Sequence, residues 1–278
     1  MFENYSGTTK IIPLLGHPIV QAKSPFGMTR AFGERGFDAV VVPIDVPPEA
    51  AGAFLKALDA VENLGGVLAT VPHKFVLCEH ATVLTERARF FGSANVMRRT
   101  STGEWQADML DGIGFVRAIQ RAGGTIAGRN ALLVGAGGAG GAIAFELLNA
   151  GAKSVAVHDA DVGRCSRLTT KLNEKHPGKA KTGSASPTGY DLVVNATPLG
   201  MNPNDPLPIT SEELDGSMFV GDVVTVHGDT PVVAAAKAAD CAYCSGHDMF
   251  DATLDLQLDF FMESGVLLKR QPPRAPGN

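Results

Sequence analysis

The sequence predicts an α/β protein of two domains, and two patterns lead to this prediction. Short apolar runs alternate with helical segments along nearly the whole chain, which is typical of sheets covered by helices on both faces. Near residue 130 a glycine-rich turn joins an apolar run to an Ala/Leu-rich helical run, and a second series of strands follows. The length of 278 residues is sufficient for two domains of moderate size with a cleft between them.

The first domain is predicted to comprise residues 1–110, with residues from about 250 to 278 packing back on it. Ser24 is the expected N-cap of an early helix, because Pro25 fits the first helical position. A short helix is expected to begin near Lys74, after the third strand. The remaining patterns predict strands at 11–15, 39–44, 67–71 and 94–98 and helices at 51–61 and 82–91. Their alternation favours a largely parallel sheet.

The second domain is predicted to span residues 111–249, with the doubly wound Rossmann organisation of a dinucleotide-binding domain. It begins with an amphipathic helix over Asp111–Arg121. Strands are predicted at 130–134, 154–159, 191–195, 219–224 and 241–244, and helices at 142–149 and 231–240. A last helix from 249 to about 269 precedes a Pro-rich tail, residues 271–278, which is expected to be disordered.

The dinucleotide-binding prediction depends on the turn Gly135-Ala-Gly-Gly-Ala-Gly140 and on its context. Gly135 permits the tight turn, Gly137 leaves no side chain between the backbone and a pyrophosphate, and Gly140 lets the helix pack closely on the strand. The N–H groups at the start of the helix then face the phosphates. The alternative is a turn that merely joins a strand to a helix, and the preceding strand and the later acid disfavour it.

Asp159, at the end of the second strand of this domain, predicts that NAD is preferred over NADP as the cofactor. A carboxylate there accepts hydrogen bonds from the ribose hydroxyls of NAD but repels the 2′-phosphate of NADP. The next residues, Ala160 and Asp161, add no positive charge. Arg164 is the one nearby residue that could support some NADP binding.

Composition and charge exclude several classes of protein and site. A net charge of −5 without any basic run disfavours nucleic acid and anionic membranes as partners. The N-terminus lacks the regions of a signal peptide, and no apolar run is long enough to span a membrane, so we expect a cytoplasmic protein. The seven histidines show no i, i+4 pair and no cysteine partner at ligand spacing, so no metal is expected. Cys241 and Cys244 indicate buried thiols rather than redox chemistry.

Lys74 and Asp111 are the ionisable residues best placed for chemistry. They belong to polar fragments at strand ends or loops, namely 23–25, 70–74, 93–95 and 108–112. Oxidation of an alcohol by hydride transfer needs a group that takes the hydroxyl proton, and a neutral lysine in a buried site can do this. The alternatives are a solvated lysine on a helix and an aspartate that caps the helix before Gly112.

Together these fragments resemble the shikimate dehydrogenase family, which also includes quinate dehydrogenases. The similar segments follow the family's order and extend over essentially the whole chain. They are residues 16–25, 70–74, 84–95, 111–114, 135–140, 195–201 and 246–249. The resemblance implies a two-domain oxidoreductase that moves a hydride between a nicotinamide and a ring hydroxyl or ketone of a shikimate- or quinate-like acid.

By this resemblance, Lys74 transfers the proton and Asp111 fixes the reacting hydroxyl. The residues implied in binding the small anionic cyclic polyol substrate are Ser24, Thr70, Asn95 and Gln257. The residues implied in binding NAD are Gly135, Ala136, Gly137, Gly138, Ala139, Gly140, Asp159, Arg164, Asn195, Ala196, Thr197, Pro198, Met201, Val223, Gly246 and Met249. The protein is expected to act as a monomer or a homodimer.

The chain departs from the family's pattern around the substrate, which predicts that shikimate itself is a poor substrate. Ala22, Leu68 and Leu110 stand where serine, asparagine and threonine are usual. Thr225 replaces a tyrosine, and Thr253 replaces a substrate-facing glutamine. A buried polar group of a ligand that lacks a partner costs about 1 to 3 kcal/mol. A relative acting on another polyol acid or an amino analogue, and a non-catalytic NAD-binding sensor, stay open as alternatives.

Overall fold

A computed structural model of the protein describes residues 5–20, 22, 24–202, 204–267 and 269. The chain divides into two compact units, Met1–Leu110 with Leu254–Asn278 and Asp111–Thr253, called here the first and second units. Each unit has its own six-stranded sheet, which confirms the predicted α/β class. The tail predicted to be disordered lies outside the described residues. Among the helices of the described part, none is both long and apolar enough to cross a membrane.

The sheet of the first unit is mixed, with the strand order β2-β1-β3-β5-β6-β4. Its strands are β1 (Lys10–Gly16), β2 (Ala39–Asp45), β3 (Val67–Ala69), β4 (Val83–Leu84), β5 (Val96–Arg99) and β6 (Trp105–Asp108). Strand β1 runs parallel to β2 and β3, whereas β5 runs antiparallel to both β3 and β6. The apolar pattern does not predict β6, which returns from β5 through a tight turn. In that turn the Thr100 N–H donates to the Glu104 carbonyl at 2.8 Å.

Helices cover this sheet and complete its apolar core. They are α1 (Ser24–Glu34), α2 (Pro48–Leu58), α3 (Lys74–His80) and α4 (Glu86–Phe91). Helix α1 begins at Ser24 itself, so Ser24 is the first helical residue rather than the predicted N-cap. Helix α4 begins later than predicted, because β4 comes first and Thr85 then caps the helix by accepting the Ala88 N–H at 3.3 Å. Leu55 of α2 and Leu77 of α3 are fully buried in the core.

The second unit has a fully parallel sheet with the strand order β12-β11-β10-β7-β8-β9. Its strands are β7 (Asn130–Val134), β8 (Ser154–His158), β9 (Ala180–Thr182), β10 (Leu192–Asn195), β11 (Phe219–Asp222) and β12 (Ala242–Cys244). Strand β7 lies between β8 and β10, so the order of the strands reverses at its carboxyl end. Ligands bind at such a switch point in open parallel sheets.

The helices of the second unit are α5 (Asp111–Arg121), α6 (Gly138–Asn149), α7 (Val162–Lys175), α8 (Pro231–Ala238) and the start of α9 (Gly246–Met262). Helix α6 is buried over nearly its whole length, which explains why its sequence is rich in alanine and leucine. Helix α9 begins before the predicted start at 249 and ends well before 269. A single turn of 3-10 helix, Ser211–Glu213, precedes β11.

Candidate functional site

The glycine turn lies between β7 and α6, at the carboxyl end of the central strand. Gly135 has a φ of 108°, and a Cβ on Gly140 would lie 1.9 Å from the Gly135 carbonyl oxygen. Only glycine therefore fits at these two positions. The space beside Gly137 and Gly138 is open, with no atom of the described residues within 4 Å of a Cβ placed there. Because Gly137 precedes the first turn of α6, whose N–H groups have no partner within the helix, the turn fits a pyrophosphate.

Asp159, immediately after β8, is tied to the glycine turn by its carboxylate. One oxygen accepts the Ala136 N–H at 2.8 Å, and the other accepts the Asp161 N–H at 2.9 Å. Burial alone would raise the pKa of Asp159, but these two amides and nearby positive charge together outweigh it, and the pKa lies below its usual value. The acid thus has a structural partner in the turn in addition to any ligand.

Arg164 lies in the first turn of α7, close to the same acids. Asp161 is the N-cap of this helix and accepts the Arg164 N–H at 3.1 Å. The Arg164 Nε lies 3.4 Å from an Asp161 carboxylate oxygen, and its side chain is more than half exposed. Its positive charge contributes to the lowered pKa of Asp159. A cation therefore lies near the end of β8, where a cofactor's ribose would lie.

A buried polar network joins the carboxyl ends of β10 and β11. Asn195 donates from its amide to Asp222 at 2.9 Å, and its own oxygen accepts the Thr197 hydroxyl at 2.7 Å. Thr230, the N-cap of α8, donates a short hydrogen bond to the other Asp222 oxygen. Burial raises the pKa of Asp222, and the bonds from Thr230 and the Val224 N–H oppose this only in part. The network fixes the two loops beside the glycine turn.

The structure brings several other predicted cofactor residues to this same edge. The Ala196 N–H donates to the Val134 carbonyl at 2.7 Å, and the Val223 N–H donates to the Asn195 carbonyl at 3.1 Å. A Cβ on Gly246 would lie 2.3 Å from the Val224 carbonyl oxygen. Three further predicted residues make local backbone hydrogen bonds. The Met201 N–H donates to the Pro198 carbonyl at 3.1 Å, and the Met249 N–H donates to the Ser245 carbonyl.

Asp111 is fixed within the second unit by the close packing of α5 on α6. A Cβ on Gly112 would lie 2.2 Å from the Ala142 carbonyl oxygen, so the two helices touch through their backbones at this point. Asp111 is the first residue of α5, and Ala142 lies in the second turn of the helix that follows the glycine turn. The position of Asp111 relative to the glycine turn is therefore set by this contact.

Lys74 begins α3 at the carboxyl end of β3, in the first unit. The Ala94 N–H donates to the Lys74 carbonyl at 2.8 Å, which places the start of α3 beside residues 94–95. His73 is buried, and its Nε2 donates to the Val46 carbonyl at 2.7 Å. The His73 N–H donates to the Thr70 carbonyl at 2.8 Å. Thr70, Lys74 and Asn95 thus belong to one cluster of segments.

Ser24 and Gln257 lie on two helices of the first unit that approach each other at one point. Ser24 opens α1, and a Cβ on Gly27 in the same turn would lie 3.2 Å from a methyl group of Leu254. Gln257 lies one turn after Leu254 on α9 and is half-buried. Lys23, in the polar fragment 23–25, lies outside the described residues.

The residues that depart from the family's pattern contribute little polarity to the site. Leu68 is in the central strand β3, and Leu68 and Leu110 are both almost fully buried. The Thr253 hydroxyl packs against Gly114 of α5, where a Cβ would lie 2.0 Å away. Within the described part of the chain the Thr253 oxygen is buried without a hydrogen-bond partner.

Five residues that shape these segments are not among the predicted site residues: His73, Arg87, Asp108, Asp222 and Thr230. Thr230 before Pro231 is a recognisable N-cap pattern. The others act through partners that lie 21 to 27 residues away in the sequence, so no local pattern reveals their contacts. Among the described residues, no group of three or more His, Cys, Asp or Glu side chains is arranged to hold a metal ion.

Comparison with known proteins identifies the family. A sequence profile described as the shikimate dehydrogenase substrate binding domain matches residues 14–97. Over 250 residues the chain is 36% identical to the shikimate dehydrogenase (NADP(+)) of Rubrobacter xylanophilus, and the alignment covers 87% of each protein. The chain belongs to the shikimate dehydrogenase family. It is therefore an NAD(P)-dependent oxidoreductase of the class that acts on a CH–OH group.

Two solved structures have the same fold as this chain. The shikimate 5-dehydrogenase of Thermus thermophilus, in complex with NADP(H) and shikimate, is 26% identical with a TM-score of 0.80, covering 91% of this chain and 94% of that one. The 5-ketofructose reductase of a Gluconobacter strain is also 26% identical, with a TM-score of 0.85, covering 93% and 96%. The shared fold therefore serves more than one substrate.

The predicted preference for NAD over NADP is wrong. The Rubrobacter relative is named for NADP(+), and further relatives at 32% to 34% identity carry the same name. The prediction treated Asp159 as a carboxylate committed to a ribose and Arg164 as a minor feature. In the structure both oxygens of Asp159 accept backbone N–H groups, and the charge of Arg164 lies nearby.

Proposed function

We propose that this protein catalyses reversible hydride transfer between NADP and a ring hydroxyl or ketone of a shikimate-like cyclic acid. The similarity to the Rubrobacter shikimate dehydrogenase carries the proposal, because its 250 aligned residues exceed the length of either unit. The aligned region must therefore include parts of the unit with Lys74 and of the unit with the glycine turn. A shared nucleotide-binding unit alone would not produce it.

The second unit supplies the residues that fit a dinucleotide. The open backbone beside Gly137 and Gly138 accommodates the pyrophosphate, and Arg164 offers a cation for a 2′-phosphate. The network of Asn195 and Asp222 holds the loops at the carboxyl ends of β10 and β11, where a nicotinamide ring binds in such sheets. When bound, NADP supplies the hydride acceptor or donor for the reaction.

Lys74 and Asp111 carry the proton chemistry in this proposal. During oxidation the neutral Nζ of Lys74 takes the proton of the reacting hydroxyl, and during reduction the charged Nζ returns it to the ketone oxygen. The carboxylate of Asp111 accepts a hydrogen bond from that hydroxyl and orients it. Because α5 is fixed on α6 through Gly112, Asp111 keeps a constant position relative to the glycine turn.

The first unit is proposed to bind the substrate's other polar groups. Ser24, Thr70 and Asn95 offer two hydroxyls and an amide, and Gln257 offers a second amide one turn after Leu254 on α9. A carboxylate and ring hydroxyls of a small acid need such partners when they leave water. The apolar side chains of Leu68 and Leu110 offer none.

Reduction of another small polyol or keto sugar is a second candidate function. Two observations favour it. Ala22, Leu68 and Leu110 are apolar residues at positions where the family usually has polar ones, and Leu68 and Leu110 are buried. The chain is also similar to a 5-ketofructose reductase. A polar group of a substrate that is buried without a partner weakens binding, so a site with few polar partners binds a substrate with few polar groups better.

A substrate panel tests the proposal. Shikimate and quinate are assayed with NADP(+), and 3-dehydroshikimate and 5-ketofructose with NADPH, by following the absorbance of the reduced cofactor. Turnover of a cyclic acid that falls at least about a hundredfold in Lys74→Met supports the proposal. Turnover of 5-ketofructose alone supports the second candidate. Tight NADP binding without turnover of any of these compounds would refute both and favour a cofactor-binding sensor.

A further inference from the structure

We infer that Arg87 and Asp108 form a positioning pair that holds Asn95 and the residues leading to Asp111 in their working geometry. The inference depends on the proposed function, since it gives a role to residues that lie behind the proposed substrate contacts. Arg87 lies in α4 and Asp108 ends β6, and neither is among the proposed catalytic or binding residues.

The carboxylate of Asp108 is held by four donors. Arg87 approaches it with both Nε and Nη2, at 2.7 Å each, one to each carboxylate oxygen. The Thr85 hydroxyl donates at 2.6 Å, and the Met109 N–H donates at 2.7 Å. The Asp108 side chain is 5% exposed and that of Arg87 is 25% exposed. A two-point, charge-assisted pair shielded from water fixes both position and orientation.

This pair is connected to the proposed substrate contacts through consecutive backbone amides. The Met109 N–H binds Asp108, and the next one, of Leu110, donates to the Asn95 side-chain oxygen at 2.9 Å. The Asn95 N–H in turn donates to the Asp108 carbonyl at 2.9 Å. The bond from the Leu110 N–H fixes the orientation of the Asn95 side-chain amide, with its oxygen towards Leu110. Asp111 follows Leu110 directly, so the same two amides fix the chain just before Asp111.

A role in stability alone does not require this arrangement. Replacing a buried ion pair by apolar residues of similar volume is often neutral for stability. A bidentate arginine is favoured where orientation matters, and a lysine, which is a point charge, cannot reproduce it. The pair therefore fits a device that sets the direction of Asn95, which a hydrogen bond to a substrate requires.

The test uses Arg87→Lys and Arg87→Met in the full-length enzyme, with Arg89→Met as the matched control. Arg89 follows Ala88 in the same helix and is exposed, and its side chain donates a 3.3 Å hydrogen bond to the Leu84 carbonyl. For each variant we would measure kcat and KM with the best substrate of the panel, the Kd for NADP, and the unfolding midpoint in urea. Assays are run where circular dichroism shows every variant to be fully folded.

Arg87→Met is expected to lower kcat/KM for the substrate by roughly 10- to 100-fold, as misplacement of contact groups does, while the Kd for NADP stays at the wild-type value. Arg87→Lys should fall between wild type and Arg87→Met, and Arg89→Met should match wild type. If folded Arg87→Met keeps the wild-type kcat/KM, or if it loses NADP affinity to the same extent, the inference is overturned. A wild-type enzyme inactive on the whole panel would instead refute the proposed function.

Discussion

Replacing Gly112 by alanine is expected to slow the reaction about a hundredfold without abolishing cofactor binding. The added Cβ would lie 2.2 Å from the Ala142 carbonyl oxygen and 2.6 Å from its carbonyl carbon. Ordinary contacts begin at 3.4 Å, so α5 has to retreat from α6 by about 1.2 Å. Asp111 is the adjacent residue and must move with the helix.

The expected loss of activity follows from the size of this shift. A misplacement of about 1 Å at a group that orients a substrate costs on the order of a hundredfold in rate. Overpacking of this kind costs roughly 1 to 3 kcal/mol, and the better helix propensity of alanine returns up to about 1 kcal/mol. The free energy of unfolding should therefore fall by no more than about 3 kcal/mol, which leaves a folded protein.

Gly52→Ala in α2 is the matched control, because it also replaces a glycine within a helix. Among the described residues, a Cβ there meets only Val76, at 4.0 Å. This variant should keep full activity and gain about 0.4 to 1 kcal/mol of stability. Turnover with the best substrate, NADP binding and urea unfolding are measured for all three proteins. Wild-type turnover in Gly112→Ala would show that the contact of α5 with α6 does not set the position of Asp111.

Three further predictions concern the second unit. Thr253→Val should leave the free energy of unfolding unchanged or raise it by about 1 kcal/mol, because the buried hydroxyl has no partner in the described part of the chain. A clear fall in the free energy of unfolding, measured in urea, would contradict this prediction. Because folding lowers the pKa of Asp159, its ionised carboxylate stabilises the folded protein at pH values above the unfolded pKa of about 3.9. This contribution disappears as the pH falls through the pKa of the folded state. The stability gap between wild type and Asp159→Asn should therefore shrink as the pH is lowered from about 5 towards 2, and a constant gap would be inconsistent with it. Arg164→Ala should weaken NADP binding about tenfold, and NAD binding less, in calorimetric titrations. Equal losses of affinity for NADP and for NAD would exclude a contact of Arg164 with the 2′-phosphate.

The parallel sheet of the second unit could be predicted because its strands are buried on both faces. Strands β7, β8, β10 and β11 are short continuous apolar runs between turn signals, and such runs are easily recognised. Strand β9 is missed, since two of its three residues are exposed and polar. In the first unit β6 is missed because polar and apolar residues mix in four positions beside a tight turn.

The candidate site could be predicted only where chemistry is concentrated in a short motif. The glycine turn is such a motif, since a local backbone requirement dictates its residues. The contacts of Asp108 with Arg87 and of Asp222 with Asn195 join distant segments, so they appear only when the fold is known. The cofactor prediction failed for a related reason. The sequence indicates only the interaction of Asp159 with ribose hydroxyls, whereas its carboxylate also accepts the Ala136 N–H and so holds the backbone of the turn.

Lys74 and Asp111 are proposed to act together in one hydride-transfer reaction. The most direct test is kcat for wild type, Lys74→Met, Asp111→Asn and the double variant, with NADP affinity measured in each. Residues that act as a unit are non-additive. Each single change should therefore lower kcat at least about a hundredfold, and the double variant should be no slower than the slower single variant, with the Kd for NADP unchanged. Near wild-type kcat in either single variant would show that the two residues do not carry the proton chemistry, and a double variant in which the two losses multiply would show that they act independently.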